Sequence, residues 1–131
     1  KDIMFDPEKA ISFEGDTGPY LLYTYARANS ILLKSGKDTD FTKINFGEKE
    51  IAIVKKLSMY PWIVKKCAHE LKPHYLVNYL FELATLFNEF YHSVHVIDSE
   101  DEEAKLALVK ATANVLESGL RLLGITPLAK M

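Results

Sequence analysis

The sequence predicts an all-α protein, a helical bundle of about five helices. Apolar residues recur at spacings of three and four along most of the chain, which is the period of a helix with one buried face. No segment sustains the alternation typical of a strand, and the short apolar stretches around Ile44 and over residues 94–97 cannot make a sheet. These observations indicate helices packed on one another and joined by short connections.

Length and composition favour a single domain over residues 1–131. The chain has 131 residues, of which 48% are hydrophobic and 26% charged, enough for one core and too few for two. A formal net charge of -2 excludes the strongly basic class of nucleic-acid binders. No apolar run approaches the roughly 18 residues of a membrane span, and no apolar leader opens the chain, so we expect a cytoplasmic protein without a membrane partner. The single cysteine, Cys67, is expected to be a small buried thiol.

The first predicted helix runs from Gly18 to Lys34. Thr17 or Gly18 stands where an N-cap belongs, Pro19 suits the first turn, and Gly36 lies just beyond the end. The apolar residues at spacings of four, three and four are Leu21, Tyr25, Ala28 and Leu32. We expect this face to be part of the core.

A polar surface loop is expected over residues 35–47, followed by two helices. They are predicted from Glu48 to Tyr60 and from Pro61 to Leu71. A proline cannot donate a backbone hydrogen bond inside a helix but is favourable in a first turn, so Pro61 separates the two.

The strongest amphipathic patterns lie in the second half of the chain. One helix is predicted between Pro73 and Tyr91, and another from Ser99 until Gly124. The first stripe comprises Leu76, Leu80, Leu83, Phe87 and Phe90, and the second Leu106, Val109, Ala113, Leu116, Leu120 and Leu123. Ser99 precedes Glu102 by three residues, a capping-box spacing, and the acidic run over 98–103 is interpreted as a solvated helix start.

No catalytic residues are predicted. His92 and His95, like His69 and His74, lack the further ligands that a metal site needs, so no metal is predicted. The glycines over residues 15–18 precede a helix, but the strand and the lysine of a phosphate loop do not accompany them. We therefore interpret this segment as a turn with a helix cap and not as a nucleotide site.

One side of the first helix has the composition of a base-stacking surface. Tyr20, Tyr23, Arg27, Ser30 and Lys34 are spaced three, four, three and four apart, so they share a face next to the core stripe. Unpaired RNA bases stack on aromatic rings and guanidinium planes. The alternative is that the tyrosines pack against neighbouring helices with their hydroxyls hydrogen-bonded.

A second feature is a local excess of lysine over residues 49–74. This segment contains six lysines and only two acidic residues, Glu50 and Glu70, so its formal net charge is +4. The lysines are Lys49, Lys55, Lys56, Lys65, Lys66 and Lys72. They are suited to phosphate contacts, or alternatively form an ordinary solvated helix face.

Residues 13–27, from Phe13 through Gly18 to Arg27, resemble the junction sequence of arginyl-tRNA synthetases. Segments 79–91, 106–109 and 115–125 and the terminal methionine resemble the same family in the same order. The resemblance implies the C-terminal anticodon-binding domain, often called the DALR domain, a helical bundle that contacts the anticodon loop.

The resemblance also implies the binding residues. It places Tyr20, Tyr23 and Arg27 on the anticodon-facing helix, Tyr91 at the end of a second facing helix, and Met131 beside the anticodon. Residues 1–131 would then be a C-terminal fragment of a longer class I synthetase.

The partners implied are the anticodon loop of arginine tRNA and the catalytic domain of the same chain. The parent enzyme would be an arginine–tRNA ligase, attaching arginine to tRNA(Arg) with ATP. ATP and arginine would bind the catalytic domain, so no cofactor is expected in this one, which lacks the family's HIGH-like and KMSKS-like signatures. We expect a monomeric domain without catalytic activity of its own. The alternative is a free-standing helical module that binds RNA or protein.

Overall fold

The computed structural model describes residues 6–12, 15–37, 46–99 and 101–128, and within them every regular element is a helix. The helices are α1 (Pro7–Ala10), α2 (Gly18–Ser35), α3 (Glu48–Ser58), α4 (Tyr60–Glu70), α5 (His74–Ser93) and α6 (Glu102–Leu122). The predicted all-α bundle is confirmed. Helices α2–α6 correspond to the five predicted helices, and α1 is an additional single turn. Ile44 and most of the predicted loop lie outside the described residues.

The two ends of α2 form as its sequence predicts. Thr17 is the N-cap, and its hydroxyl oxygen accepts a hydrogen bond from the backbone N–H of Tyr20 at 3.2 Å. Gly36 ends the helix at φ 58°, a left-handed conformation that glycine adopts without a steric penalty. These caps fix the rotation and length of the helix that carries Tyr23 and Arg27.

The predicted capping box at the start of α6 is wrong. The Ser99 hydroxyl donates to the carbonyl of Val96 at 2.8 Å instead of capping the helix. Glu102 is not solvated either: it is only 6% exposed, and its carboxylate accepts from Lys37 Nζ at 2.6 Å and from the Asp98 N–H at 3.1 Å. A cation from beyond the end of α2 thus makes burial of this acid possible, and sequence spacing could not indicate it.

The core lies between α5 and α6, with α2 and α3 packed against both and α4 against α5. Its fully buried side chains include Leu21, Ile53, Tyr79, Leu80, Leu83, Phe87, Phe90, Leu106, Val109, Leu116 and Leu120. Cys67 is half-buried, less than its pattern predicts. No helix among the described residues is long and apolar enough to cross a membrane.

Candidate nucleic-acid interface

Arg27 lies between two tyrosine rings that come from different helices. Its Cζ is 4.6 Å from the centroid of the Tyr23 ring, one turn earlier on α2, and 4.4 Å from that of Tyr91 at the end of α5. The two tyrosines are 39% and 40% exposed. We call this arrangement the Tyr23–Arg27–Tyr91 stack. A guanidinium over aromatic faces is attracted by their ring quadrupoles, so the three side chains hold one another at the surface.

Asn88 connects the stack to the helices beneath it. Arg27 Nη1 donates to Asn88 Oδ1 at 2.5 Å, and Arg27 Nη2 donates to the Tyr23 hydroxyl at 3.0 Å. The Asn88 amide nitrogen donates to the hydroxyls of Tyr20 and Thr24, each at 3.0 Å. One half-buried amide on α5 therefore contacts three side chains of α2.

The donors and acceptors of this network are consistent with a single orientation of the amide. Arginine has only donors, so the Asn88 oxygen faces Arg27. The Thr24 hydroxyl donates to the Tyr20 carbonyl at 2.9 Å, and so it accepts from Asn88. The Tyr20 hydroxyl oxygen also accepts from Asn88, so its own O–H proton is not used in that bond.

The residues predicted for binding are only partly brought together. Tyr23, Arg27 and Tyr91 form the stack, whereas Tyr20 is half-buried, packs against the core and adjoins the stack through Asn88. Met131 lies outside the described residues. The alternative interpretation, of tyrosines packed with bonded hydroxyls, describes Tyr20 better than it describes Tyr23.

A groove of about 480 Å³ lies beside the stack. Ser30 and Lys34 of α2 line one part of it, and His95 in the segment after α5 lines another. Its apolar lining comes from Ala26, Ile31, Leu33, Val94, Val96 and Ile97, together with the ring atoms of the stack. The segment over 94–97, an apolar stretch too short to make a sheet, is irregular and forms part of this lining.

Sequence reasoning missed Asn88 and the segment after α5. Asn88 precedes Tyr91 by three residues, so helical spacing alone puts the two on one face of α5, and this signal could have found it. Nothing in the sequence placed residues 94–97 next to α2, because that contact depends on how α2 and α5 pack.

The lysines over 49–74 do not form one uniform phosphate-binding face. Lys49 donates to the Ser93 hydroxyl at 2.7 Å, and Lys56 is paired with Glu82. Lys55 and Lys65 are exposed. Within the described part of the chain, no group of three His, Cys, Asp or Glu side chains is placed to hold a metal ion.

Comparison with known proteins matches residues 21–131 to the DALR anticodon binding domain family. All of the chain matches an arginine–tRNA ligase of Clostridium beijerinckii at 40% identity and one of Ignicoccus hospitalis at 42%, covering 24% and 22% of those proteins. The chain thus spans about a quarter of the length of these relatives.

The fold matches solved structures of the same enzyme. An arginyl-tRNA synthetase of Thermus thermophilus superposes over the whole chain with a TM-score of 0.93 at 36% identity, and that of Plasmodium falciparum with 0.85 at 28%, each over 24% of the larger protein. These matches favour a synthetase domain over a free-standing interaction module. The chain belongs to the DALR anticodon binding domain family, in the form found in arginyl-tRNA synthetases.

Proposed function

We propose that this domain binds the anticodon loop of arginine tRNA on the Tyr23–Arg27–Tyr91 stack. The observation that carries the proposal is the Arg27 guanidinium held between two half-exposed tyrosine rings, at 4.6 and 4.4 Å. The rings and the guanidinium offer flat surfaces to unpaired bases, and each stacked base contributes roughly 1–3 kcal/mol. Since the chain carries a net charge of -2, stacking and local hydrogen bonds, not bulk charge, supply specificity.

The surroundings of the stack add polar contacts to this platform. The Tyr20 O–H is a donor for a base or phosphate oxygen, because its oxygen already accepts from Asn88. Lys34 and His95 line the groove beside the stack, where a base turned out of the loop would meet both polar and apolar side chains. Met131 is included in the proposal on the family resemblance alone, as a further contact to the anticodon.

The parent protein is proposed to be a cytoplasmic arginine–tRNA ligase. In that enzyme ATP and arginine bind the catalytic domain of the same chain, and the present domain contributes tRNA binding without chemistry of its own. We propose that the domain itself is monomeric.

A titration of labelled RNA hairpins tests the proposal. The chain should bind an arginine anticodon stem-loop more tightly than the same stem carrying a non-arginine anticodon, as measured by fluorescence anisotropy. Tyr91→Ala should weaken binding of the arginine hairpin by about 1–3 kcal/mol, and Lys110→Ala, an exposed lysine of α6, serves as the matched surface control. Equal affinity for both anticodons, or binding indifferent to Tyr91→Ala, would reject the proposal.

A further inference from the structure

A second cluster of cations and aromatic rings lies where α4 ends and α5 begins. Lys66 Nζ is 4.3 Å from the centroid of the Tyr75 ring and 5.1 Å from that of Trp62. Lys72 Nζ lies 5.9 Å from the same Tyr75 ring. We call Trp62, Lys66 and Tyr75, with Lys72, the α4–α5 cluster.

This cluster is separate from the Tyr23–Arg27–Tyr91 stack. Tyr75 and Tyr91 belong to the same helix and are sixteen residues apart, which at 1.5 Å per residue separates their backbones by about 24 Å. At 3.6 residues per turn the same step also rotates by about 160°, so the cluster and the stack lie on different sides of α5. The cluster therefore cannot be a further wall of the groove, and a ligand that contacts both must be extended and reach around α5.

The exposure of Trp62 distinguishes the cluster from ordinary core packing. Trp62 is 55% exposed although it is the chain's single tryptophan and its largest aromatic side chain. Indole rings usually gain stability by burial, and at binding surfaces they supply contact area together with an N–H donor. The ion pairs of the described residues do not include Lys66, whose ammonium lies over two aromatic rings.

Charge is distributed so that an anion is attracted to this end of the bundle. Residues 55–74 contain five lysines against Glu70, and Glu82 of α5 pairs with one of them, Lys56, so the balance of this region is +3, whereas the whole chain has -2 and the remainder therefore -5. Glu70, the one acid of that segment, accepts from the Tyr75 hydroxyl at 2.9 Å and from Lys72 at 3.4 Å. A polyanion is thus attracted to the cluster and repelled by much of the remaining surface.

We propose that the α4–α5 cluster is a second RNA contact, which binds the sugar-phosphate backbone of the same RNA away from its anticodon loop. This inference rests on the proposed function, which brings RNA to the domain. Lysine binds phosphate as a compact point charge, and an exposed indole adds a face for a sugar or an end base. Such a contact increases affinity without reading the anticodon.

The position of Trp62 provides a direct optical test. An arginine tRNA transcript is titrated into the chain while Trp62 emission and RNA anisotropy are recorded together. We expect the emission to change in parallel with the anisotropy, because no other tryptophan contributes. A variant with Trp62→Phe should bind without that signal, and far-UV circular dichroism verifies that each variant folds.

Salt dependence then identifies the phosphate contact. One neutralised phosphate contributes about 0.7–0.9 to the slope of log K against log salt. When salt is raised from 50 to 200 mM, the factor by which affinity falls should therefore be about three times smaller for Lys66→Ala than for wild type. Tyr23→Ala should weaken binding while leaving the slope unchanged. Lys110→Ala should change neither quantity.

Two results overturn the inference while leaving the proposed function standing. The first is tight, anticodon-selective binding with no change in Trp62 emission and no change of slope in Lys66→Ala. The second is an equal emission change on adding polyglutamate, which would assign the cluster to acidic protein segments instead of RNA. If the proposed function itself is wrong, the wild-type chain binds arginine and non-arginine anticodons with equal affinity, whether or not the Trp62 emission changes.

Discussion

Asn88 on α5 accepts a hydrogen bond from Arg27 on α2 at 2.5 Å, and this contact ties the two helices together at the stack. The same amide donates to Tyr20 and Thr24, so the position of Arg27 depends on a residue that itself presents no aromatic or charged surface to RNA. The orientation of the guanidinium is therefore set by the packing of α2 on α5.

Replacing Asn88 should weaken RNA binding through Arg27. Asn88→Ala removes the acceptor for Arg27 and leaves the hydroxyls of Tyr20 and Thr24 without their donor, at a cost of about 1–3 kcal/mol in the free energy of unfolding. Asn88→Asp keeps an acceptor for Arg27 but loses both donors. Combined with Arg27→Lys in a double-mutant cycle of binding free energies, Asn88→Ala should be non-additive. Additive effects would show that Asn88 does not act through Arg27.

Removing a ring of the stack should affect binding more than folding. Tyr23→Ala and Tyr91→Ala should each weaken binding of an arginine anticodon stem-loop by roughly 1–3 kcal/mol, since each loses a surface for one stacked base. Their melting temperatures should remain close to that of wild type, because both rings are half-exposed. Tyr20 requires the milder Tyr20→Phe, which removes only the hydroxyl. Isothermal titration calorimetry and thermal melts separate the two effects, and a melt lowered as strongly as binding would refute a surface role.

Gly119 allows the close approach of α6 to α5. A Cβ added there would lie 2.6 Å from Leu80 Cδ2, and Leu80 is fully buried, so it has no room to move aside. Gly119→Ala should therefore lower the free energy of unfolding by about 1–3 kcal/mol. Gly18→Ala is the matched control, since nothing lies within 4 Å of the added atom. Urea denaturation compares the two, and equal stability of both variants would contradict the packing argument.

Stability should fall in acid partly through the Lys37–Glu102 pair. The hydrogen bond from Lys37 holds the pKa of Glu102 below its ordinary value of 4.5, and the same bond raises the pKa of Lys37 above 10.5. Because the folded state lowers the acid's pKa, its contribution is complete above about pH 4.5 and is lost as pH falls through the folded pKa. The contribution of Lys37 to the free energy of unfolding is lost only when the pH rises through its raised pKa, above 10.5.

Glu102→Gln tests this pH dependence. Its melting temperature should fall less steeply than that of wild type as pH is lowered from 5 to 3. Glu70, whose pKa is also lowered by its hydrogen bond from Tyr75, contributes to the slope that remains. Parallel profiles would mean that Glu102 is not coupled to Lys37 in solution.

The helices could be predicted from the sequence because each has its own apolar periodicity, and because capping residues and prolines mark where helices begin and end. The caps at Thr17 and Gly36 and the separation of two helices near Pro61 all follow from local chemistry. The start of α6 could not be predicted, since the side chain that neutralises Glu102 is Lys37, sixty-five residues away.

The candidate site was predictable to the extent that it follows one helix face. Spacing on α2 placed Tyr23 beside Arg27, and the family resemblance added Tyr91 from another helix. The hydrogen bonds of Asn88, the groove lining over 94–97 and the half-buried state of Tyr20 depend on tertiary packing, which periodicity does not describe.

The substitution Arg27→Lys tests the central claim most directly, by calorimetric titration with an arginine anticodon stem-loop. Lysine keeps the positive charge but loses the planar surface and forked donors that lie between Tyr23 and Tyr91. The stacking account predicts a loss of roughly 1–3 kcal/mol in binding free energy and reduced discrimination against a non-arginine anticodon, while Lys65→Ala keeps that discrimination. Binding by Arg27→Lys with wild-type affinity and selectivity, together with loss of recognition in Lys65→Ala, would contradict it.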